Sequence, residues 1–308
     1  MEYKHIPVLL KETIDGLNLK PDGIYVDGTL GRGGHSSEIL KVATKGHLYC
    51  FDQDKQAIAE SRERLEQIGK NFTLINDNFE NLKKDLNELG VEKVDGFLFD
   101  LGVSSVQFDE SDRGFSYRYD ARLDMRMNQD SRISAYDVVN NYSLNDLTRI
   151  IREYGEEPFA YQIAREIISQ RSISPLVTTY QLVDVIKKAL PKKVLSKPGH
   201  PAKQTFQAIR IEVNRELEVL KIALKDACEM LQSGGRVAVI TFNSLEDRIV
   251  KQYFNSLTKD EVTSRYLPST NKEINYRLVN KKIITASEEE LASNNRSKPA
   301  KLRVIERK

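Results

Sequence analysis

Ile24-Tyr-Val-Asp-Gly-Thr-Leu-Gly-Arg-Gly-Gly-His-Ser36 joins a β-type run to a glycine-rich turn and then to a helical pattern. A strand ending in such a turn, with a helix opening directly behind it, is the first half of a β-α-β unit, and the amides at the start of that helix are free to meet a ligand. Outward from this stretch the rhythm continues. Further strands are expected at His47–Asp52, Phe72–Asn76 and Val94–Asp100, after a first strand over Ile24–Leu30, with helices at Ser36–Val42, Lys55–Ile68 and Glu80–Leu89. Strands alternating with helices predict an α/β fold with a parallel sheet.

After Asp100 the pattern changes, and from about Asp109 to Gly199 there are loops and helical patterns but no strand sequence. One helix is expected from Leu144 to Tyr154, another from near Pro158, and a third from Thr178, where Gln181 completes a capping-box spacing, to Leu190. Apolar residues at Phe206, Ile209, Val213, Leu217, Leu220, Leu224 and Leu231 predict one long helix leading back to the sheet. Arg236–Phe242 reads as a fifth strand, followed by a helix capped by Ser244 and Asp247. Lys282–Thr285 and Lys301–Ile305 suit an edge hairpin. The expected organisation is therefore a discontinuous domain, 1–108 and 206–308, interrupted by a helical insertion, 109–205.

The 308 residues are 40% apolar and 30% charged, as in a folded globular protein. Cys50 and Cys228 lie far apart with no C-x-x-C, so neither a zinc site nor a redox pair is expected and both read as buried thiols. Ile6–Leu10 is too short for a signal-peptide core or a membrane span, which points to the cytoplasm. A net charge of +2 is too small to argue for a polyanionic partner, so any such case rests on clustering.

Carboxylates recur where ligands bind in open parallel sheets, at carboxyl ends of strands. Asp52 stands where it can accept from both ribose hydroxyls of an adenosine, Phe79 follows the third strand where a ring can pack on adenine, and Asp100 ends the fourth. For a dinucleotide the third glycine of G-x-G-x-x-G would fall at position 36, which is Ser36, so a nucleotide-dependent oxidoreductase loses ground. The spacing D-x-x-x-G-x-G from Asp27 instead resembles the first motif of class I, Rossmann-like methyltransferases, whose loop embraces the methionine part of S-adenosylmethionine.

Longer strings extend the resemblance: Gly31-Arg-Gly-Gly-His-Ser36, Asp100-Leu-Gly-Val-Ser-Ser105, Arg113-Gly-Phe-Ser116, Leu123-Asp-Met-Arg-Met127, and His200-Pro-Ala-Lys203 running into Phe206-Gln-Ala-Ile-Arg210. Over nearly its whole length the sequence resembles the bacterial 16S ribosomal RNA cytosine-N4 methyltransferase family, RsmH or MraW. The resemblance implies cofactor contacts from Gly33, Gly34, His35, Asp52, Phe79, Asp100 and Gln107, no metal, and N4-methylation of one cytidine, 1402 in the usual RNA numbering, in the decoding region of the small ribosomal subunit. Two departures are Asn243, where the family usually has histidine, and Val106, where it usually has proline. Asn243 cannot titrate near neutrality. A non-catalytic RNA-binding or assembly factor is therefore kept as the alternative.

Methylating a base amine requires an acceptor for that amine, for which Asp100 is the candidate, with Ser104, Ser105 and Asn243 lining the pocket. It also requires an unstacked cytosine. Arg113, Arg118 and Arg122 interleave with Phe115, Tyr117 and Tyr119, and Lys187–Arg210 carries seven Lys/Arg and no acidic residue. Arg113, Tyr117, Arg118, His200, Lys203, Arg210 and Arg296 are the expected RNA contacts.

Overall fold

The computed structural model describes residues 7–103, 111–259 and 274–308. The expected contacts Gln107, Ser104 and Ser105, and the departure at Val106, lie outside them. The chain forms two compact units, 1–102 with 217–308, and 103–216.

The first unit is built on a seven-stranded sheet, with β1 Ile24–Asp27, β2 His47–Phe51, β3 Phe72–Ile75, β4 Val94–Asp100, β5 Leu231–Thr241, β6 Tyr276–Leu278 and β7 Lys301–Arg307. Their order is β3-β2-β1-β4-β5-β7-β6. The first five are parallel, and β7 runs antiparallel to both β5 and β6. Strand order reverses between β1 and β4, the place where a crevice opens at the carboxyl edge of a doubly wound sheet.

Side chains alternate through the sheet as a period of two requires. Val26, Phe97, Phe99, Val237, Val239 and Ile305 join one core, closed by Leu82, Leu86, Leu220, Leu224, Val250 and Phe254 from helices. Tyr25, Leu48, Leu98, Ala238, Ile240 and Val304 face a second core, with Leu17, Ile39, Leu40 and Leu65. Cys50 and Cys228 are both buried thiols. No helix among the described residues is long and apolar enough to cross a membrane.

The C-terminal edge differs from the expected hairpin. Tyr276–Leu278 pairs with β7, whereas Lys282–Thr285 contributes only one bridge, Ile284 to Leu302. Asn280 takes the place of a paired strand: its Oδ1 accepts from Val304 N–H and its Nδ2 donates to the Leu302 carbonyl.

Helices Ala135–Asn141, Leu144–Glu153, Ala160–Arg171, Thr179–Ala189, the short Lys192–Leu195 and Lys203–Asn214 belong to the second unit. Their core gathers Val138, Leu147, Ile150, Ile163, Ile167, Leu182, Ile186, Phe206 and Ile209. Thr178 and Gln181 form the capping box that their spacing predicts.

The long helix expected over 206–231 is two helices, Lys203–Asn214 and Glu216–Met230. Arg215 between them is left-handed, at φ 51°. The continuous apolar stripe hides two destinations, since Phe206, Ile209 and Val213 enter the helical core while Leu220 and Leu224 enter the sheet core. Asn214 fixes the end of the first helix: its Oδ1 accepts from Met127 N–H at 2.8 Å, and its Nδ2 donates to the Met125 and Arg210 carbonyls at 2.8 and 2.9 Å. Asn214→Ala leaves those main-chain groups without partners, and an unmade buried hydrogen bond costs about 1–3 kcal/mol. Chemical denaturation followed by circular dichroism should show a loss of about that size, whereas a variant as stable as wild type would deny Asn214 this role.

Candidate active site

Asp27 closes β1 with a side chain only 1% exposed. Its carboxylate accepts from Ser36 Oγ at 2.6 Å and from Thr29 N–H at 3.0 Å. Burial raises its pKa, against the lowering effect of those bonds. The residue that spoils the dinucleotide pattern therefore has a task of its own, to hold the Asp27 carboxyl inside the loop. Thr29 carries the constraint across the sheet, because its Oγ1 accepts from Asp100 N–H at 2.6 Å.

Gly31 and Gly33 hold the turn at φ 51° and 69°, and nothing stands nearer than 3.9 Å to a Cβ placed on Gly31. Ser61 Oγ donates to the Gly31 carbonyl at 2.7 Å, and Ser37 Oγ to that of Gly33 at 2.6 Å. Helix Gly34–Val42 starts at Gly33 with no side-chain cap. Its first turn lies at the positive end of the helix dipole, which favours an anionic group there.

Asp52, just past β2, accepts from Gly31 N–H and Asp54 N–H, both at 2.9 Å. An ionised carboxylate offers about four lone-pair sites, so two further donors can be met. Burial pushes its pKa up to about 7, partly offset by those two amides and reinforced by Asp54 and Asp27.

Asp100, at the end of β4, is the least satisfied acid of the group. Its Oδ1 is buried with no hydrogen-bond partner among the described residues. Its Oδ2 lies 3.6 Å from His35 Nδ1, while His35 Nε2 stands 3.0 Å from the Val8 carbonyl. Burial, then the charges of Asp27 and Glu246, raise the Asp100 pKa to about 8. Acids so placed repel one another, so a cation is the ligand that relieves them.

Phe79 begins a short 3-10 turn after β3, its ring 5.5 Å from that of Phe99. Across the carboxyl edge the order is thus Phe79, Asp52, the glycine loop, Asp100 and Asn243, following β3, β2, β1, β4 and β5.

Asn243 has a structural task just after β5. It is the N-cap of helix Ser244–Thr258, its Oδ1 accepting from Leu245 and Glu246 N–H at 3.0 Å, with Glu246 Oε2 accepting from Asn243 N–H in return. The capping box lies one residue before the expected Ser244–Asp247 pair, which has the same spacing. Asp247 instead binds Arg303 and Lys301. Sequence reasoning also overlooked Thr29, Ser61 and Glu246; only Glu246 had a readable signal, the N-x-x-E spacing.

In the helical unit the expected RNA contacts divide in two. Tyr117 stacks on His200, with ring centroids 4.2 Å apart and planes 12° apart, and meets the Phe206 ring edge-on. Desolvation, then Lys187 and Arg118, lower the His200 pKa. Its Nδ1 accepts from Ala202 N–H at 3.3 Å, which leaves Nε2–H as a donor. Arg118 and Lys203 are exposed.

Arg113 and Arg210 have partners within the unit. Arg113 is 9% exposed and donates to the Arg126 and Met127 carbonyls at 3.0 and 3.2 Å. Arg210 forms a bidentate pair with Glu216, both contacts 2.8 Å. Internal acceptors already hold both guanidinium groups. Arg296 is exposed, in the sheet-containing unit. No group of three or more His, Cys, Asp or Glu among the described residues is placed to hold a metal ion.

The profile of the MraW methylase family matches residues 2–308. The chain is 55% identical to ribosomal RNA small subunit methyltransferase H of Exiguobacterium sibiricum, over 99% of this chain and 98% of that protein. It is 52% identical to the protein of the same name from Clostridioides difficile, over the full length of both. With that of Oenococcus oeni it shares 53% identity over 99% of each.

The Asp27–Ser36 bond gives a test of the loop. Ser36→Gly completes the dinucleotide-type glycine pattern yet removes a 2.6 Å donor from a buried carboxyl. It should lower stability by about 1–3 kcal/mol, seen as a reduced denaturant midpoint; an unchanged midpoint would refute the role given to Ser36.

Proposed function

The chain belongs to the MraW methylase family, and from that premise we propose that it methylates N4 of a single cytidine, 1402 in the usual numbering, in the decoding region of 16S ribosomal RNA. Its cofactor is S-adenosylmethionine, which supplies an electrophilic methyl group carried on a cationic sulfur. The observation that carries the reading is Asp100 Oδ1, a buried acceptor with no partner among the described residues, at the end of the strand beside the glycine loop.

The residues present fit that cofactor. Asp52 retains lone pairs for the two ribose hydroxyls, the open turn at Gly31 and the helix start at Gly34 suit a carboxylate, and Phe79 offers ring surface to adenine. The acids Asp52 and Asp100 suit a net positive ligand, and His35 backs Asp100.

The exocyclic amine of cytosine is a weak nucleophile because its lone pair is delocalised into the ring. Asp100 Oδ1 accepts a hydrogen bond from that amine, localises the lone pair and takes the proton released as nitrogen gains a methyl group. Holding the amine in line can supply several kcal/mol by removing the cost of encounter, on the order of the effects measured for oriented reactants. Asn243 has no proton to handle here; its work in the helix cap accounts for the asparagine and leaves the non-catalytic alternative without an observation that favours it.

The stacked Tyr117–His200 pair, with Arg118, Lys187 and Lys203 around it, is the part of the helical unit suited to RNA: rings for an unstacked base and cations for phosphate. The substrate is proposed to be 16S RNA within the small ribosomal subunit, in the cytoplasm.

Two expectations follow. A cation prefers the ionised form of both acids, but free Asp100 holds its proton up to about pH 8 and free Asp52 up to about pH 7. Cofactor binding should therefore expel protons and weaken on acidification, on the order of tenfold per pH unit between about 8 and 7 and up to about a hundredfold per unit below 7, where both acids are protonated. Calorimetry in buffers of different ionisation enthalpy measures this. Asp100→Asn should reduce the dependence by one proton, leaving that of Asp52, and abolish turnover; a wild-type affinity independent of pH would contradict the assignment. Separately, Tyr117→Ala and His200→Ala should each weaken RNA binding by about 1–3 kcal/mol without changing cofactor affinity, and equal RNA affinity in filter binding would remove the pair from the interface.

A further inference from the structure

Residues Pro7 to Leu9 cross the start of helix Gly34–Val42. A Cβ on Gly34 would sit 2.5 Å from Pro7 Cγ, so the helix backbone and the proline are in direct contact. One residue on, the Val8 carbonyl meets His35 Nε2 at 3.0 Å. A carbonyl only accepts, so Nε2 carries a proton whether the ring is neutral or charged. In the neutral ring Nδ1, facing Asp100 Oδ2 at 3.6 Å, is then the nitrogen without a proton.

The strap is not at rest by itself. Leu9 is left-handed, at φ 50° and ψ 38°, a conformation that costs a residue with a Cβ about 1–2 kcal/mol. Helix Leu10–Leu17, which starts there, has no side-chain cap of its own. The Leu9 N–H donates instead to Glu290 Oε1 at 2.8 Å, from a residue 281 positions away. Ser287 caps the helix that carries Glu290 by accepting from its N–H, which fixes where the carboxylate begins.

We infer that Glu290 is a positioning residue for the active site: by holding Leu9 in its left-handed turn it keeps the Val8 carbonyl on His35, and so fixes which imidazole nitrogen faces Asp100. The inference rests on the reading that Asp100 belongs to the methyl-transfer site. Among the described residues, the groups that bear on Asp100 are the carboxylates of Asp27 and Glu246 and the imidazole of His35. Glu290 is not one of them, so its influence there passes through the strap.

The test uses the full-length protein with 15N-labelled histidine, the His35 signals being those lost in His35→Gln. Wild type should show the Nε2–H tautomer. Glu290→Ala should show a mixture of tautomers and bind S-adenosylmethionine about 3–10-fold more weakly, the equivalent of one lost hydrogen bond. Glu290→Gln, which keeps an oxygen for the Leu9 N–H, should stay within about twofold of wild type. If Glu290→Ala folds poorly, Glu290→Asp, which withdraws the carboxylate by one methylene, is read in the same way. A wild-type tautomer and affinity in Glu290→Ala, even with a lower melting temperature, would overturn the inference, as would Glu290→Gln failing like Glu290→Ala. Asp100→Asn separates the two levels: an effect of Asp100→Asn with none of Glu290→Ala overturns the relay alone, and no effect of Asp100→Asn overturns the pocket reading with it.

Discussion

The carboxyl edge of the sheet depends on one buried hydrogen bond, Ser36 Oγ to Asp27. A carboxylate at 1% exposure is tolerable only when donors meet it, and here the donors are the loop's own Thr29 N–H and Ser36 in the first turn of the following helix. The bond thus decides where the glycine turn ends and where the helix amides point. Thr29, held by Asp27, passes the same constraint to the end of β4 through the Asp100 N–H. The loop, the helix N-terminus and Asp100 become one rigid assembly on a sheet whose order reverses at that point.

Most of that assembly was legible because its signals are local. Strands of β-branched and aromatic residues, glycines at the first turn and acids at successive strand ends can each be read within a few residues, and the first four strands lie where expected with ends trimmed by up to three residues. What failed had a tertiary cause. The apolar stripe from Phe206 to Leu231 is continuous in sequence, yet two cores divide it at Arg215, and nothing local distinguishes one core from another. The edge strand was misplaced because Asn280 supplies the hydrogen bonds a strand would have made. The cap after β5 was read one residue late because Asn243-x-x-Glu246 and Ser244-x-x-Asp247 have equal spacing, and only the surrounding chain selects between them.

Cations were the least legible part of the candidate site. Arg113, Arg118 and Arg210 look alike in a basic stretch, but Arg113 holds main-chain carbonyls, Arg210 holds Glu216, and only Arg118 is exposed. A long side chain with five donors serves equally for an internal fork and for phosphate, so composition gives the number of guanidinium groups and not their direction. The aromatic signal was clearer: Tyr117 and His200, 83 positions apart, stack face to face. Similarly, the strap at Pro7–Leu9 and its anchor Glu290 belong to opposite ends of the chain, where no pattern could join them.

The central claim, that this assembly transfers a methyl group to one cytosine amine of ribosomal RNA, is tested most directly by incubating the protein and labelled S-adenosylmethionine with small ribosomal subunits from cells lacking it, then analysing the nucleosides. The account predicts label in N4-methylated cytidine at a single site in the decoding region. Tight cofactor binding with no label in the subunits or their free RNA, or label on a carbon or ribose oxygen, would contradict it.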